Sequence, residues 1–323
     1  MPTTKHLLPS PSPDLDYLLE RVRTLRMNSK GTLTRSGYRR DFEHYRNFCL
    51  IRGLVAVPAS ESTICLYLAH CSTRLRVATI ARRMAAIADG LKSSGHDATS
   101  LRSFLVQETW KGIKRTLGVA THGRAPLLAS AIREIAMACP DTLLGRRDRS
   151  LILTGYCGGF RRSELGSLQL KDLSTHEGNI VIHLKRSKND PEAKGRTVVL
   201  VPGERKEFCP VHAMREWIDA ACLTKGAIYR GVDRYGNVSA CLNPDSIPRI
   251  LKRAAARAGF PSSDVARIAA HSLRAGLVTQ SSLNGVSPLT VAEITGHRTL
   301  SVVKRYCRVA EAIGAATKLA SSL

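Results

Sequence analysis

Short segments in the second half of this 323-residue sequence contain side chains that could act together on a phosphate group. Arg161 lies in the segment GFRRSEL, His271 and Arg274 are three residues apart, and Tyr306 follows His297 by nine residues. A guanidinium binds two phosphate oxygens at once, and an imidazole can donate to the same group or accept a proton. A phenol becomes a nucleophile when neighbouring cations stabilise its phenolate.

Each segment also has an ordinary structural interpretation. Arg161 stands at the start of a predicted helix, where it opposes the helix dipole unless it faces an anion, and it could equally be a surface residue. A His-x-x-Arg pair arises by chance in many proteins, and a single tyrosine usually packs at the edge of a core. Lys188, in a polar loop, could be a solvated lysine, and Lys185 and Lys194 are its rivals. Only the order and spacing of all the segments together favour one site.

The first part of the chain that must position these residues is helical. Residues 14–118 contain apolar residues at helical spacing between Gly, Pro and Ser boundaries, with no strand-like alternation. We expect a flexible leader over residues 1–13. Residues 119–128 have no periodicity and contain Gly123 and Pro126, so a linker is predicted there.

The second part, residues 129–323, mixes helices with a small sheet. Two segments rich in Val and Ile, 179–184 and 196–201, alternate as strands do and enclose the loop that contains Lys188. A last helix is expected near 299–320, and it contains Tyr306. The predicted fold class is therefore mainly α, an all-helical domain followed by an α+β domain.

The charge of the chain narrows its partners. Lys and Arg number 49 against 26 Asp and Glu, which gives a formal net charge of +23. Such a surplus repels itself in a compact fold unless a polyanion screens it, which favours nucleic acid. No long apolar run suggests a membrane span, and nine scattered cysteines indicate thiols in a reducing cytosol. Cys209 and His212 form a Cys-x-x-His pair without the second pair that zinc needs.

The segments, in this order, resemble those of the tyrosine recombinase family, which includes phage integrases and the Cre and Xer recombinases. GGFRRSELGSL is similar to the family's first arginine box, which gives Arg161 that role and Glu164 the supporting acidic position. The loop KRSKND is similar to the family's β-hairpin, in which Lys188 best matches the catalytic lysine.

The remaining boxes match near the end of the chain. HSLRAG is similar to the second box, through His271 and Arg274, and GHRTLSVVKRY is similar to the final box, through His297 and the nucleophile Tyr306. The resemblance covers about residues 125 to 310. The helical first half matches the family's core-binding domain only in length and character.

The resemblance implies a transesterification of a DNA phosphodiester. Tyr306 attacks phosphorus, forms a 3′-phosphotyrosine and releases a 5′-hydroxyl. Arg161 and Arg274 bind the non-bridging oxygens, both histidines donate further hydrogen bonds, and Lys188 protonates the leaving oxygen. His271 could also accept the tyrosine proton. No cofactor and no metal are implied, because side chains supply the cations.

The resemblance also implies partners and a setting. The expected partners are double-stranded DNA with inverted-repeat recombination sites and a homo-tetramer on two duplexes, without a membrane. The expected setting is the cytoplasm of a bacterium, near the nucleoid, with a phage or another mobile genetic element as a possible source. Residues 310–323 could dock on a neighbouring protomer or pack on their own domain. Two alternatives stay open: a type IB topoisomerase that relaxes supercoils, and a DNA-binding regulator without chemistry.

Overall fold

The computed structural model of the chain describes residues 13–119, 126–184, 195–297, 299–300 and 303. The chain divides into two compact units, Met1–His122 and Gly123–Leu323. Outside the described residues lie the expected leader except Pro13, most of the expected linker and nearly all of the expected last helix. Within the described ranges, every helix is too short or too polar to cross a bilayer.

The described residues of the first unit are helical, and aromatic side chains form the centre of its core. Tyr45 and Tyr67 are fully buried, with ring centroids 5.1 Å apart and an edge-to-face orientation. Phe48 packs on Tyr67 in a similar way at 5.2 Å. The helices of this unit are α1 (Pro13–Asn28), α2 (Thr32–Ile51), α3 (Glu61–Ser72), α4 (Val77–Ser93) and α5 (Phe104–Leu117).

The first helix keeps its apolar residues at the surface. Leu15, Leu18, Leu19, Val22 and Leu25 recur at helical spacing, and each is between 48% and 56% exposed. Their spacing therefore predicted the helix correctly, but a packed apolar face did not follow from it.

In the second unit, helices surround α7, whose central residues are buried on all sides. Trp217 of α9 is fully buried, and its indole N–H donates to the Ile228 carbonyl oxygen at 2.8 Å. The short polar helix α11 was not predicted. The helices of this unit are α6 (Ala129–Met137), α7 (Leu143–Cys157), α8 (Arg162–Ser167), α9 (Pro210–Ala220), α10 (Ile247–Arg257), α11 (Ser262–Arg267), α12 (His271–Leu283) and α13 (Pro288–Thr295).

A three-stranded antiparallel sheet accompanies these helices, in the order β1-β2-β3. Both predicted strands are present, as β2 (Asn179–Leu184) and β3 (Arg196–Leu200). The additional strand β1 (Leu173–His176) is too short to show alternation in the sequence. Leu184 pairs with Arg196, so the chain leaves the sheet and returns to it at directly opposed residues. The predicted fold class, mainly helical with a small sheet, is confirmed.

The Cys-x-x-His pair has a structural role at the start of α9. The Cys209 sulfur accepts a hydrogen bond from the backbone N–H of His212 at 3.3 Å, and a second one from the N–H of Gly203. These contacts satisfy an otherwise unpaired donor at the helix start. The cysteines within the described residues are free thiols.

The second unit also contains a buried ion triad, which generates a stability prediction. The Asp148 carboxylate, 1% exposed, accepts from Arg147 Nε at 2.6 Å and from Arg253 Nη2 at 2.7 Å. Replacement Asp148→Asn leaves two guanidinium groups without their counter-charge, so we expect the free energy of unfolding in urea to fall by about 3 kcal/mol.

The matched control is Asp141→Asn, because Asp141 pairs with Arg146 at 2.9 Å but its side chain is 75% exposed. Solvent screens such a pair, so its loss should change the unfolding free energy little. Equal effects of the two substitutions would contradict the importance of the buried triad.

Candidate active site

Arg161 and Glu164 form the first part of the site, at the junction of α7 and α8. The Glu164 carboxylate is buried and accepts from the backbone N–H of Arg161 at 2.9 Å. It also accepts from Arg161 Nη1 at 2.6 Å. At this helix start, Arg161 therefore faces a carboxylate of its own chain. One carboxylate satisfies the helix end and orients the guanidinium.

Arg274, on α12, is held by the turn that precedes Arg161. Its side chain is 1% exposed, and Nη1 donates to the Gly159 carbonyl oxygen at 2.7 Å. Gly159 has a left-handed φ of 55°, and a Cβ there would lie 2.8 Å from Leu277. Glycine is therefore the residue that lets this turn present its carbonyl to Arg274.

The end of α13 supplies the third part of the site. Gly296 adopts φ 64° and ψ 47° after the last helical residue, and its carbonyl oxygen accepts from Arg161 Nη2 at 2.8 Å. The next residue, His297, has its Nδ1 atom 2.6 Å from Thr295 Oγ1. Thr295 donates its hydroxyl proton to the Val291 carbonyl. Since that hydroxyl has one proton, the ring donates from Nδ1, and the neutral imidazole has its acceptor at Nε2.

The two histidines are both held in the neutral form. Burial first, then the positive charges of Arg274 and Arg161, lower the pKa of His297 to about 3, and Arg196 adds to this effect. His271 retains exposed surface at the start of α12. Even so, loss of hydration around its ring, followed by the charges of Arg274 and Arg161, lowers its pKa. Both imidazoles therefore lie close enough to Arg161 and Arg274 to feel the same two positive charges.

Arg196, which the sequence analysis did not select, belongs to the same cluster. Its Nη2 donates to Glu164 Oε2 at 3.0 Å, and its guanidinium carbon lies 5.6 Å from the centroid of the Phe160 ring. Arg161, Arg196 and Arg274 give +3 and Glu164 gives −1, so these four described side chains sum to +2. Such a surplus can bind and stabilise an anion.

The structure thus brings together five of the selected residues, Arg161, Glu164, His271, Arg274 and His297. The other two, Lys188 and Tyr306, lie outside the described residues.

The sequence matches the family model of the phage integrase family over residues 127–312, more than half of the chain. This chain belongs to the phage integrase family. It is therefore a tyrosine recombinase, an enzyme of site-specific DNA recombination, as the resemblance of its boxes implied.

Relatives of this tyrosine recombinase match over most of their length. An integrase/recombinase XerD homolog of Selenomonas ruminantium is 29% identical over 282 residues, which cover 86% of this chain and 82% of the relative. The tyrosine recombinase XerD of Agrobacterium fabrum is 27% identical over 315 residues, or 92% and 90% of the two chains.

Solved structures share the fold. The XerH site-specific recombinase bound to palindromic difH substrate superposes with a TM-score of 0.59 at 19% identity, over 82% of this chain and 72% of XerH. A lambda integrase dimer bound to a COC′ core site gives a TM-score of 0.59 at 14% identity, over 91% and 77%.

The depressed pKa of His297 predicts how acid acts on the DNA-free integrase. Between pH 6.5 and pH 3, the unfolded chain binds a proton at this residue and the folded chain does not, so stability falls as the pH decreases. The variant His297→Gln should lose roughly 1 kcal/mol less unfolding free energy than the wild type between pH 7 and pH 5, allowing for solvent that reaches the ring. Urea denaturation at both pH values measures this difference.

His176→Gln is the control, because the His176 side chain is 76% exposed. It should follow the wild-type pH dependence. If His297→Gln follows it as well, His297 is not held neutral by its surroundings.

Proposed function

We propose that this tyrosine recombinase breaks a DNA strand by attack of the Tyr306 phenol oxygen on a phosphodiester and rejoins it by the reverse reaction. The observation that carries the proposal is the +2 surplus of charge around Arg161 and Arg274. A phosphodiester has one negative charge, and its pentacoordinate transition state gains a second one on the non-bridging oxygens. A site in which the guanidinium groups outnumber the carboxylate therefore stabilises the transition state more than the substrate.

Chain connectivity supports Tyr306 as the nucleophile. Val303 is fully buried against Val278 of α12 and Val291 of α13. Three residues extend at most about 10 Å, so the Tyr306 backbone remains within that distance of Val303. Val303 therefore tethers it near α12, which carries His271 and Arg274, and near α13, which leads into His297. This tether is compatible with attack in the same protomer or in a neighbouring one.

Two proton transfers accompany the exchange of bonds. As the bond from Tyr306 to phosphorus forms, the phenol loses a proton, and as the bond to the 5′ oxygen breaks, that oxygen gains one. We assign proton acceptance to His271, which is neutral and exposed at the start of α12, and proton donation to Lys188.

His297 differs from the initial expectation that it donates a hydrogen bond to the phosphate. Because its Nδ1 proton is given to Thr295, its Nε2 can only accept while the ring is neutral. The growing negative charge of the transition state favours the imidazolium form. We therefore propose that His297 donates to a phosphate oxygen only after its Nε2 has taken up a proton from water.

Covalent capture of DNA tests the proposed nucleophile. The probe is a pool of duplexes with a randomised core, nicked so that the released strand diffuses away and prevents rejoining. Wild-type protein should give a covalent band on a denaturing gel, Tyr306→Phe should give none, and Tyr235→Phe, at an exposed tyrosine, should resemble the wild type. Arg274→Lys loses the second phosphate contact of the fork, so we expect cleavage at least about 100-fold slower. A wild-type protein that never becomes linked to DNA would refute the proposal.

A change of leaving group tests Lys188 against its two rivals. A sulfur atom in place of the bridging 5′ oxygen leaves as a thiolate, which needs little help from an acid. Cleavage of normal DNA should slow about 100-fold or more in Lys188→Ala, and the sulfur substrate should restore most of that loss.

Lys185→Ala and Lys194→Ala are the matched controls, since both stand between the two strands in the sequence, as Lys188 does. They should cleave both substrates at nearly the wild-type rate. Rescue of Lys185→Ala or Lys194→Ala by sulfur, without rescue of Lys188→Ala, would reassign the general acid.

We propose duplex DNA with inverted-repeat sites as the substrate, bound by a homo-tetramer. The net charge of +23 supports a polyanionic partner, and the XerH and lambda integrase structures contain their DNA sites. Exchange between two duplexes breaks four strands, and one tyrosine for each break requires four protomers. Recombinant products that join strands from two duplexes would identify a recombinase. A topoisomerase would relax a supercoiled plasmid without joining such strands, and a regulator would form no covalent product.

A further inference from the structure

Arg196 connects parts of the site that come from distant elements of the fold. It is the first residue of β3, and its side chain is 12% exposed. Nη2 donates to Glu164 Oε2 at 3.0 Å, and Nη1 donates to the Ile294 carbonyl in the last turn of α13. The guanidinium also covers the Phe160 ring, one residue before Arg161. One side chain of β3 thus contacts α13, α8 and the Phe160 ring just before α8.

The first consequence concerns the charge that Arg161 can offer to a phosphate. Arg161 Nη1 binds Glu164 Oε1 at 2.6 Å, whereas Arg196 binds Oε2 of the same carboxylate. An arginine and a carboxylate readily form two parallel hydrogen bonds when nothing else competes. Oε2 accepts from both Arg196 and the backbone N–H of Arg161, and these contacts oppose such a closed pair. Arg196 thereby shares the negative charge of Glu164 with Arg161.

The second consequence concerns position. Arg161 Nη2 binds the Gly296 carbonyl, and Arg196 binds the Ile294 carbonyl two residues earlier. Both contacts hold the end of α13, which leads directly into His297. Arg196 also lies opposite Leu184, where the segment 185–194 with Lys188 returns to the sheet. The same guanidinium therefore anchors the ends of two segments that supply proposed catalytic groups.

We propose that Arg196 is a positioning residue for strand cleavage. It shares the Glu164 carboxylate with Arg161, and it links the start of β3 to the end of α13. The inference rests on the proposed function of Arg161 and Tyr306. It assigns Arg196 no contact with DNA, and its effect on the phosphate passes through Arg161 and His297.

A double-mutant cycle with Glu164 tests this inference, on a duplex that the wild-type protein captures. In single-turnover cleavage, Arg196→Met should be about 10- to 100-fold slower than wild type, while the dissociation constant for DNA changes less than about threefold. The ammonium of Arg196→Lys cannot bind both the carboxylate and the Ile294 carbonyl with the same geometry. Its cleavage rate should therefore lie between those of the wild type and Arg196→Met. In a Glu164→Gln background there is no carboxylate charge to share, and only the bond of Arg196 to the Ile294 carbonyl remains. Arg196→Met should therefore slow cleavage at least about threefold less there than it does in the wild-type background.

Arg149→Met is the matched control. Arg149 is also partly buried and donates to the carbonyls of Ala136 and Cys139 at the end of α6, away from the site. It should cleave DNA at the wild-type rate, and thermal unfolding of all variants monitors their folding.

The cleavage assays distinguish the role of Arg196 from the proposed chemistry of Tyr306. An unchanged cleavage rate in Arg196→Met, or an equal loss with Glu164 and with Gln at position 164, would overturn the role of Arg196 while leaving the proposed chemistry intact. Absence of covalent capture by the wild type would remove the proposed function itself.

Discussion

The buried carboxylate of Glu164, shared by two guanidinium groups, is the interaction on which the site depends. It closes the start of α8, orients Arg161 and receives Arg196 from the sheet. Three elements that are distant in the sequence therefore meet at one negative charge. Without it, repulsion between the guanidinium groups would destabilise the fold, because the free energy of bringing like charges together rises as water is excluded. With it, the cluster still retains a positive surplus that an anion can use.

Neutral partners orient the arginines without cancelling their charge. Carbonyl oxygens of Gly159 and Gly296 receive one donor each from Arg274 and Arg161. A carboxylate in either place would fix the same geometry but would reduce the surplus by one charge. Backbone dipoles fix direction at a smaller electrostatic loss, which is the arrangement expected of a site organised before its ligand arrives. The repulsion that remains is relieved when a phosphate enters.

The sequence predicted features that depend on the spacing of nearby residues, and it did not predict features that depend on tertiary contacts. Helical spacing and alternation predicted α2, α12 and both longer strands, and the family boxes selected the charged residues that the structure brings together. β1 and α11 escaped because four to six residues show no period. Arg196 looked like an ordinary strand end, and Thr295 like an ordinary helix residue, since only the folded chain reveals that one meets Glu164 and the other fixes the His297 tautomer. The roles of Lys188 and Tyr306 stay predictions.

The two left-handed glycines of the site, Gly159 and Gly296, make the enzyme sensitive to substitution at positions that have no reactive group. A methyl group at Gly159 would lie 2.8 Å from Leu277, and one at Gly296 would lie 3.0 Å from the Arg196 side chain. Either would also strain the backbone whose carbonyl holds an arginine. Mutational tolerance at this site is therefore set by main-chain shape as much as by functional groups. A survey of inactivating substitutions that looked only for titratable side chains would overlook two of its most sensitive positions.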